Sequence, residues 1–335
     1  MDATTADALL AAAREARTAM RSRDEDAVDR LERRYPDIRA AMDWNLAQGR
    51  VEQADQIATA LVPFWIATKR IDEGQEWFER AIPEPVTDPH RARAEHDYGY
   101  LAFFAGHYEL AEARFTDARR LAGLVGNVDV VALALAGSAR VALNTDPVEA
   151  VRLLREAIEV TADLPESDGR SSANHVLGVA LQMAGDLEGA REVMSERLER
   201  ARGAGNDFVV AVESANLSMV ERKLGNLDGA EALSLEALRT VSRQGDEMAI
   251  PWVINGLAAV TAAQGRLERA ATLIGIAESL LERAGGEWPA DEREQYQGAL
   301  TTVAAGLSPA DLAGARSAGA AMTLDDAVSY ALEAE

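Results

Sequence analysis

Cysteine is absent from this sequence. That excludes a disulfide framework, a thiolate metal site and a thiol nucleophile. Histidine is scarce, with only His90, His96, His107 and His175. None forms an H-E-x-x-H motif or an i,i+4 pair, so a zinc site lacks a ligand set. Strand-forming alternation is nearly absent, while Ala, Leu, Arg and Glu are abundant, which favours helix throughout. No apolar run approaches the ~18 residues that a membrane span needs. Basic residues number 34 against 56 acidic ones, a net charge of −22. Such a surface repels nucleic acid and acidic membranes. Met1 to Thr5 holds Asp2 and no basic residue, unlike a secretory signal. The expected location is cytoplasmic.

Catalytic motifs are missing as well. No G-x-x-x-x-G-K-[ST] occurs, so no P-loop holds phosphates. Ser138 in A-G-S-A-R lacks the second glycine of a nucleophile elbow. Gly203 and Gly205 begin a dinucleotide fingerprint, but Phe208 stands where its third glycine belongs and no strand precedes it. No catalytic residue, metal or cofactor is expected, and the chain is not expected to be an enzyme.

What is present is a period. Gly185, Gly225 and Gly265 lie 40 residues apart, and Gly205, Gly245 and Gly285 keep the same step between them. Each of the first series opens G-x-L-x-x-A, ending on Ala190, Ala230 and Ala270. Gly106/Ala111 fits the frame, Thr145/Ala150 fits loosely, and Lys69/Gly74 is the faintest instance. A second small position follows seven residues later at Ala81, Ala118, Ala157, Ala237 and Ala277, broken only by Arg197. A third precedes the first glycine by seven at Gly99, Ser138, Gly178, Ser218 and Ala258, with Val62 the exception.

Glycine just past a helix end takes the left-handed conformation that caps it. Asn127, Asn206 and Asp246 follow such glycines and are good N-caps. About 19 residues between punctuators make roughly five helical turns. Small residues at fixed positions let two helices approach closely. These features predict an all-α fold, a right-handed superhelix of about six tetratricopeptide-like helix pairs in units of about 40 residues. The solenoid is placed at 51–285, with an N-terminal helical cap at 1–50 and a C-terminal helical cap at 286–335. Within the first cap, residues 5–21 read as an amphipathic helix. Ser22 and Glu25 open a second helix at capping-box spacing, and Tyr35-Pro36 begins a third. Pro251 marks a late start or bend. Ser308 and Thr323 read as helix starts in the second cap.

In such an array the first helix of each unit lines the concave groove. Positions six and three before the small residue, and one and four after it, face inward. The candidate ligand-binding residues on this frame are Arg93, His96, Tyr100, Phe103, His175, Gln182, Arg222, Trp252 and Asn255. The frame places Arg93, His96, Tyr100 and Phe103 on one face, with His175 two units on. A mixed apolar and polar concave wall suits a ligand.

Four stretches carry a family resemblance: YPDIRAAMDW, TKRIDEGQEWFERAI, the AGDLEGA-type units, and AATLIGIAESLLERAGGEWPADEREQYQGAL followed by MTLDDAVSYAL. Across roughly residues 28–334 the chain resembles the C-terminal tetratricopeptide region of large ATP-binding LuxR-type regulators and of STAND-type regulators. The ATPase and helix-turn-helix modules of that family have no counterpart here. The resemblance implies a non-catalytic sensor or interaction domain of a bacterial transcriptional or signalling regulator. Its partner would be a protein, peptide or small-molecule effector in the groove, with self-association as a further property of the family. The alternative is a stand-alone scaffold or sequestering protein. On either reading the chain alone is expected neither to hydrolyse ATP nor to bind DNA or membranes. Saturable binding to duplex DNA at physiological salt would overturn that expectation.

Overall fold

The computed structural model describes residues 1–21, 24, 26–82, 89–143, 145–164, 167–284, 286, 288 and 290–333. Among the described residues seventeen helices form and no strand does. They are α1 (Ala3–Arg21), α2 (Ala27–Ala47), α3 (Val51–Ala67), α4 (Ile71–Ala81), α5 (Pro89–Phe104) and α6 (Tyr108–Val125). There follow α7 (Val128–Ala142), α8 (Pro147–Val160), α9 (Asp168–Met183), α10 (Leu187–Gly203), α11 (Asp207–Lys223) and α12 (Leu227–Arg243). The chain closes with α13 (Ile250–Ala263), α14 (Leu267–Arg283), α15 (Ala290–Gly306), α16 (Pro309–Ala320) and α17 (Leu324–Leu332). None of the described helices is long and apolar enough to cross a membrane. The chain divides into two compact units, Met1–Ala180 and Leu181–Glu335, with the division inside α9.

The helix ends follow the predicted punctuation. Gly106, Gly185, Gly205, Gly225, Gly245 and Gly265 all have φ between 65° and 86°, the left-handed region that a Cβ disfavours. Lys69, where the frame has no glycine, adopts φ 58° and is the only described non-glycine residue with positive φ. Asn127, Asp186, Asn206 and Asn226 each accept a bond from the backbone N–H three residues on. Ser308 and Thr323 cap α16 and α17 in the same way. Asp246 instead accepts from Ala249 N in a turn before α13, so the helix starts late, with Pro251 in its first turn.

The proline at 36 does not start a helix: it lies inside α2, which runs unbroken. Its ring costs one intrahelical bond. Packing on both sides offsets that cost, since Leu31, Tyr35, Ile38, Ala41 and Met42 are all buried. Trp65 Nε1 also donates to Tyr35 Oη at 2.8 Å, tying α2 to α3. Ser22, Glu25, Asn144 and Gly285 lie outside the described residues.

In the first unit, α1/α2, α3/α4, α5/α6 and α7/α8 are packed pairs, and α1, α3, α5 and α7 follow one another in a layer. In the second unit, α11/α12 and α13/α14 pair, and α11 packs on α13. There α15 extends the α13 side, α16 lies along α14, and α17 reaches α12 and α14.

The small positions are where pairs meet. Ala111, Ala150, Ala190, Ala230 and Ala270 are all 0% exposed. A Cβ at Gly99 would fall 2.9 Å from the Phe115 ring, so α5 and α6 touch there without room for a methyl. In α7 a Cβ at Gly137, one residue before Ser138, would lie 2.5 Å from the same ring, so there α7 approaches α6 of the preceding pair. Ser138 turns its hydroxyl to Glu112 Oε1 at 3.0 Å. Ser218 is buried between α11 and α12, donating to Ala230 O at 2.7 Å and sharing a bond with Ser234 Oγ. The single break in the second series has its own partner: Arg197 on α10 donates to Glu213 of α11 at 2.8 Å, and that carboxylate is 1% exposed. Arg269 fastens the C-terminal helix. Its guanidinium donates to the carbonyls of Tyr330, Ala331 and Glu333, and lies over the Tyr330 ring. It thereby supplies the donors that the last turn of α17 lacks.

Ser218→Leu is expected to overpack the α11/α12 contact and cost ~1–3 kcal/mol. Lys69→Gly should do the reverse, raising stability by ~0.5–1 kcal/mol through relief of left-handed strain. Urea unfolding midpoints of both variants check the two signs.

Candidate functional site

Helix α5 carries the densest set of chemistry in the first unit. Asp97 is almost fully buried, and Arg93 Nε donates to both of its oxygens at 3.0 and 3.1 Å. His96 Nδ1 lies 2.8 Å from the same carboxylate. From α1, Arg17 comes within 4.0 Å of it and donates to Thr59 O of α3 at 2.7 Å. Arg93 also stands 3.7 Å from Asp168 at the start of α9. Burial alone would raise the Asp97 carboxyl. The Arg93 guanidinium, the His96 bond and Arg17 outweigh it and hold that carboxyl well below the ordinary carboxylate range. Burial pushes His96 below its ordinary value, with Asp97 opposing, so the ring is kept neutral near pH 7.

Around this centre lies a cavity of about 130 Å³ lined by Arg14, Arg17, Asp55, Gln56, Thr59, Ala60, His90 and Arg93. Arg14 donates to Gln56 Oε1 at 2.5 Å across α1 and α3. Asp55 is engaged by Arg91 at 3.2 Å, a pair with both side chains at most 3% exposed. The open wall therefore presents three guanidinium groups from α1 and α5. Along α5 the chemistry changes. The His96 ring stacks on Tyr100 at 6.0 Å, and Tyr100 meets Phe104 edge-on at 5.0 Å. Phe103 packs against Phe104 and Tyr108. Phe104 and Tyr108 are 47% and 45% exposed. Beside them on α7, Arg140 donates to Ser172 Oγ at 3.3 Å, and burial pushes its pKa down.

The nine predicted residues fall into several environments. Arg93 and Tyr100 are half-buried and reach the open face, as does Phe103 at its aromatic edge. His96 is buried beneath them rather than exposed, because the Phe115 ring and Asp97 enclose it. His175 stands half-buried on α9. In the second unit, Gln182 is buried with its amide against Met219 Sδ, and Trp252 is 38% exposed. Arg222 is half-buried and burial pushes its pKa down, with Glu294 opposing. Asn255 is buried, and its amide donates to the backbone and side chain of Glu292, so it fastens α15 to α13 instead of lining an open wall. The arrangement brings together Arg93, His96 and Tyr100, and adds Arg14, Arg17, Asp97 and Arg140, which the groove frame missed. Gln56 and Thr59 were within its reach, lying six and three residues before Val62 in the faintest unit.

No protein-family profile matches the chain. An HTH-type transcriptional regulator of Mycobacterium bovis is 25% identical over 254 residues, covering 69% of this chain and 27% of the relative. The chain thus spans about a quarter of the length of the curated relatives it matches. Among solved structures, the quorum sensor NprR from B. thuringiensis aligns with a TM-score of 0.57 at 14% identity, over 86% of this chain and 82% of that one. The STAND protein PH0952 from Pyrococcus horikoshii, which has a tetratricopeptide repeat sensor, aligns with a TM-score of 0.57 at 13% identity, over 90% and 49%. At these identities the structures establish the fold. The chain has the fold of a tetratricopeptide-type repeat array. In sequence it resembles part of a longer HTH-type regulator, and in fold it resembles the structures that hold tetratricopeptide repeats.

The charge centre of this repeat protein has a definite pH sign. Both Asp97 and His96 have folded pKa values below their unfolded ones, so the unfolded chain binds the extra protons on acidification. The His96 contribution is present above ~6.5 and fades below it; that of Asp97 fades only below the ordinary carboxylate range near ~3.9. The melting temperature is expected to fall between about pH 6.5 and 5, and to fall less in His96→Gln.

Proposed function

We propose that this chain is a non-catalytic effector-binding sensor domain of a transcriptional or signalling regulator, and that it takes a peptide or protein segment on the α1/α3/α5 face of its first unit. The observation that carries this reading is the arginine-lined cavity running into half-exposed aromatic rings along one helix. A buried carboxylate fixes the guanidinium geometry, so the donors are set before a ligand arrives. Apolar surface with a few placed polar groups is how ligand sites are built.

The comparisons support the class. NprR has also been solved with its cognate peptide NprX, aligning at a TM-score of 0.55 and 16% identity over 90% of this chain and 85% of that one. The longer regulator of M. bovis supports a place within a larger signalling protein. A stand-alone scaffold is the less favoured reading, since the curated relative is a regulator matched over only part of its length. The site also argues against catalysis. The Asp97–His96 pair is the acid–imidazole half of a triad, yet its carboxylate is engaged by Arg93 and its ring is enclosed by Tyr100 and Phe115. The strongly negative net charge of −22 and the expected cytoplasmic location fit a peptide- or protein-binding role rather than nucleic-acid or membrane contact.

A photo-crosslinking phenylalanine analogue tests the face. Placed at Gln56 or Tyr100 in the source cells, it is expected to trap a peptide or protein adduct. The same group at exposed Glu188 on α10 should trap none. Equal trapping at all three positions would remove the site from this face.

A further inference from the structure

The chemistry of the α5 face is more specific than peptide binding in general. Its two ends differ in kind. One end is the cavity with Arg14, Arg17 and Arg93 on its wall; Asp55, which Arg91 engages, is its one lining carboxylate, while Asp97 and Asp168 stand against Arg93, and Asp97 lies 4.0 Å from Arg17. The other is Tyr100, Phe103, Phe104 and Tyr108, four of the chain's seventeen aromatic residues within nine positions. Beside Tyr100 stands Arg140 of α7, which donates to Ser172 Oγ at 3.3 Å; among the described residues no carboxylate lies within ion-pair distance of it. Surface charges farther off are screened beyond ~8 Å at physiological salt, so an anion at the cavity responds to these guanidiniums more than to the net charge.

We infer that the first unit selects an effector segment bearing a carboxylate at one end, held among Arg14, Arg17 and Arg93, and an apolar side chain at the other, seated on Tyr100 and Phe104. This rests on the sensor reading given above. The fork of a guanidinium matches a carboxylate with two parallel N–H donors. Asp97 holds Arg93 by its Nε edge, and the terminal nitrogens of Arg93 face Asp168 at 3.7 Å and the cavity wall. A volume of about 130 Å³ has room for roughly four waters at ~30 Å³ each. That suits a carboxylate and its nearest carbons, and not a chain passing through. From Arg93 to Phe104 α5 rises about 16 Å, which an extended peptide covers in about five residues at ~3.3 Å each. The ligand is therefore about six residues long between its two anchors. Its carboxylate has two chemical sources, a free C-terminus or an Asp or Glu side chain.

Four pools of hexapeptides separate these sources. All begin with Leu or Phe and have random neutral residues in the middle. They end either in a neutral residue or in Asp/Glu, each made as free acid and as C-terminal amide. Affinity selection on the intact protein, read by mass spectrometry, is expected to retain every pool except the neutral amide. Retention of both free-acid pools alone assigns the C-terminus; retention of both acidic-residue pools alone assigns the side chain. Arg14→Gln and Phe104→Ser alter exposed positions that carry little of the fold, and each is expected to weaken binding about tenfold with an unchanged melting temperature. Equal retention of the neutral amide pool overturns the carboxylate requirement, and loss of that retention in Phe104→Ser would then leave the sensor reading standing. Retention of no pool overturns the inference outright. In-cell adducts at Gln56 and Tyr100 would in that case still support the sensor reading, and their absence would remove both.

Discussion

Close approach between paired helices is the constraint on which the structure depends. Two helix backbones come together only where neither side chain exceeds a methyl or a hydroxymethyl group. That is why the five alanines from Ala111 to Ala270 have no exposed surface. The same closeness makes Phe115 a wedge, with Gly99 and Gly137 on either side of its ring. Every other feature follows from this spacing. With the pairs fixed, α1, α3, α5 and α7 lie side by side in the first unit and α11 and α13 in the second, and the side chains on each open edge are presented together.

Buried charged groups inside this frame stand in pairs or larger sets. Arg197 replaces a small residue because Glu213 waits on the neighbouring helix. Arg91 and Asp55 do the same between α5 and α3. A buried charge without its partner costs several kcal/mol, so these pairs also fix which helix faces which. The Asp97 centre differs from them. It gathers Arg93, His96 and Arg17 around one carboxylate and leaves guanidinium nitrogens at a cavity wall. The fold itself orders the arginines at that point.

The repeat was legible because its determinants are local. A left-handed glycine, an N-cap three residues before its acceptor's partner, and an alanine at a fixed offset act over fewer than ten residues. Their period therefore shows in a single chain. The proposed site was legible only along α5, where Arg93, His96, Tyr100 and Phe103 follow one helical face. Its other half was hidden for two reasons. Arg14 and Arg17 come from a helix outside the glycine frame, more than seventy residues away from Arg93 in sequence. Gln56 and Thr59 sit in a unit whose small position is Val62 and whose capping residue is Lys69, so the frame was too faint there to be followed. Asn255 shows the opposite error. It occupies a groove position by count, but α15 packs beside α13 and covers it.

The sequence by itself determined the helix pairs, their period, their turns and the absence of phosphate-binding or zinc motifs, because each of these is set by residue type at short range. Only the tertiary structure decided which inward positions remain open. It put His96 and Asn255 under neighbouring side chains and left the Arg14–Arg17–Arg93 wall accessible. The reason is geometric. A helical face specifies a direction, but exposure depends on what the next helix places across it, and that helix is positioned by packing between residues far apart in the chain.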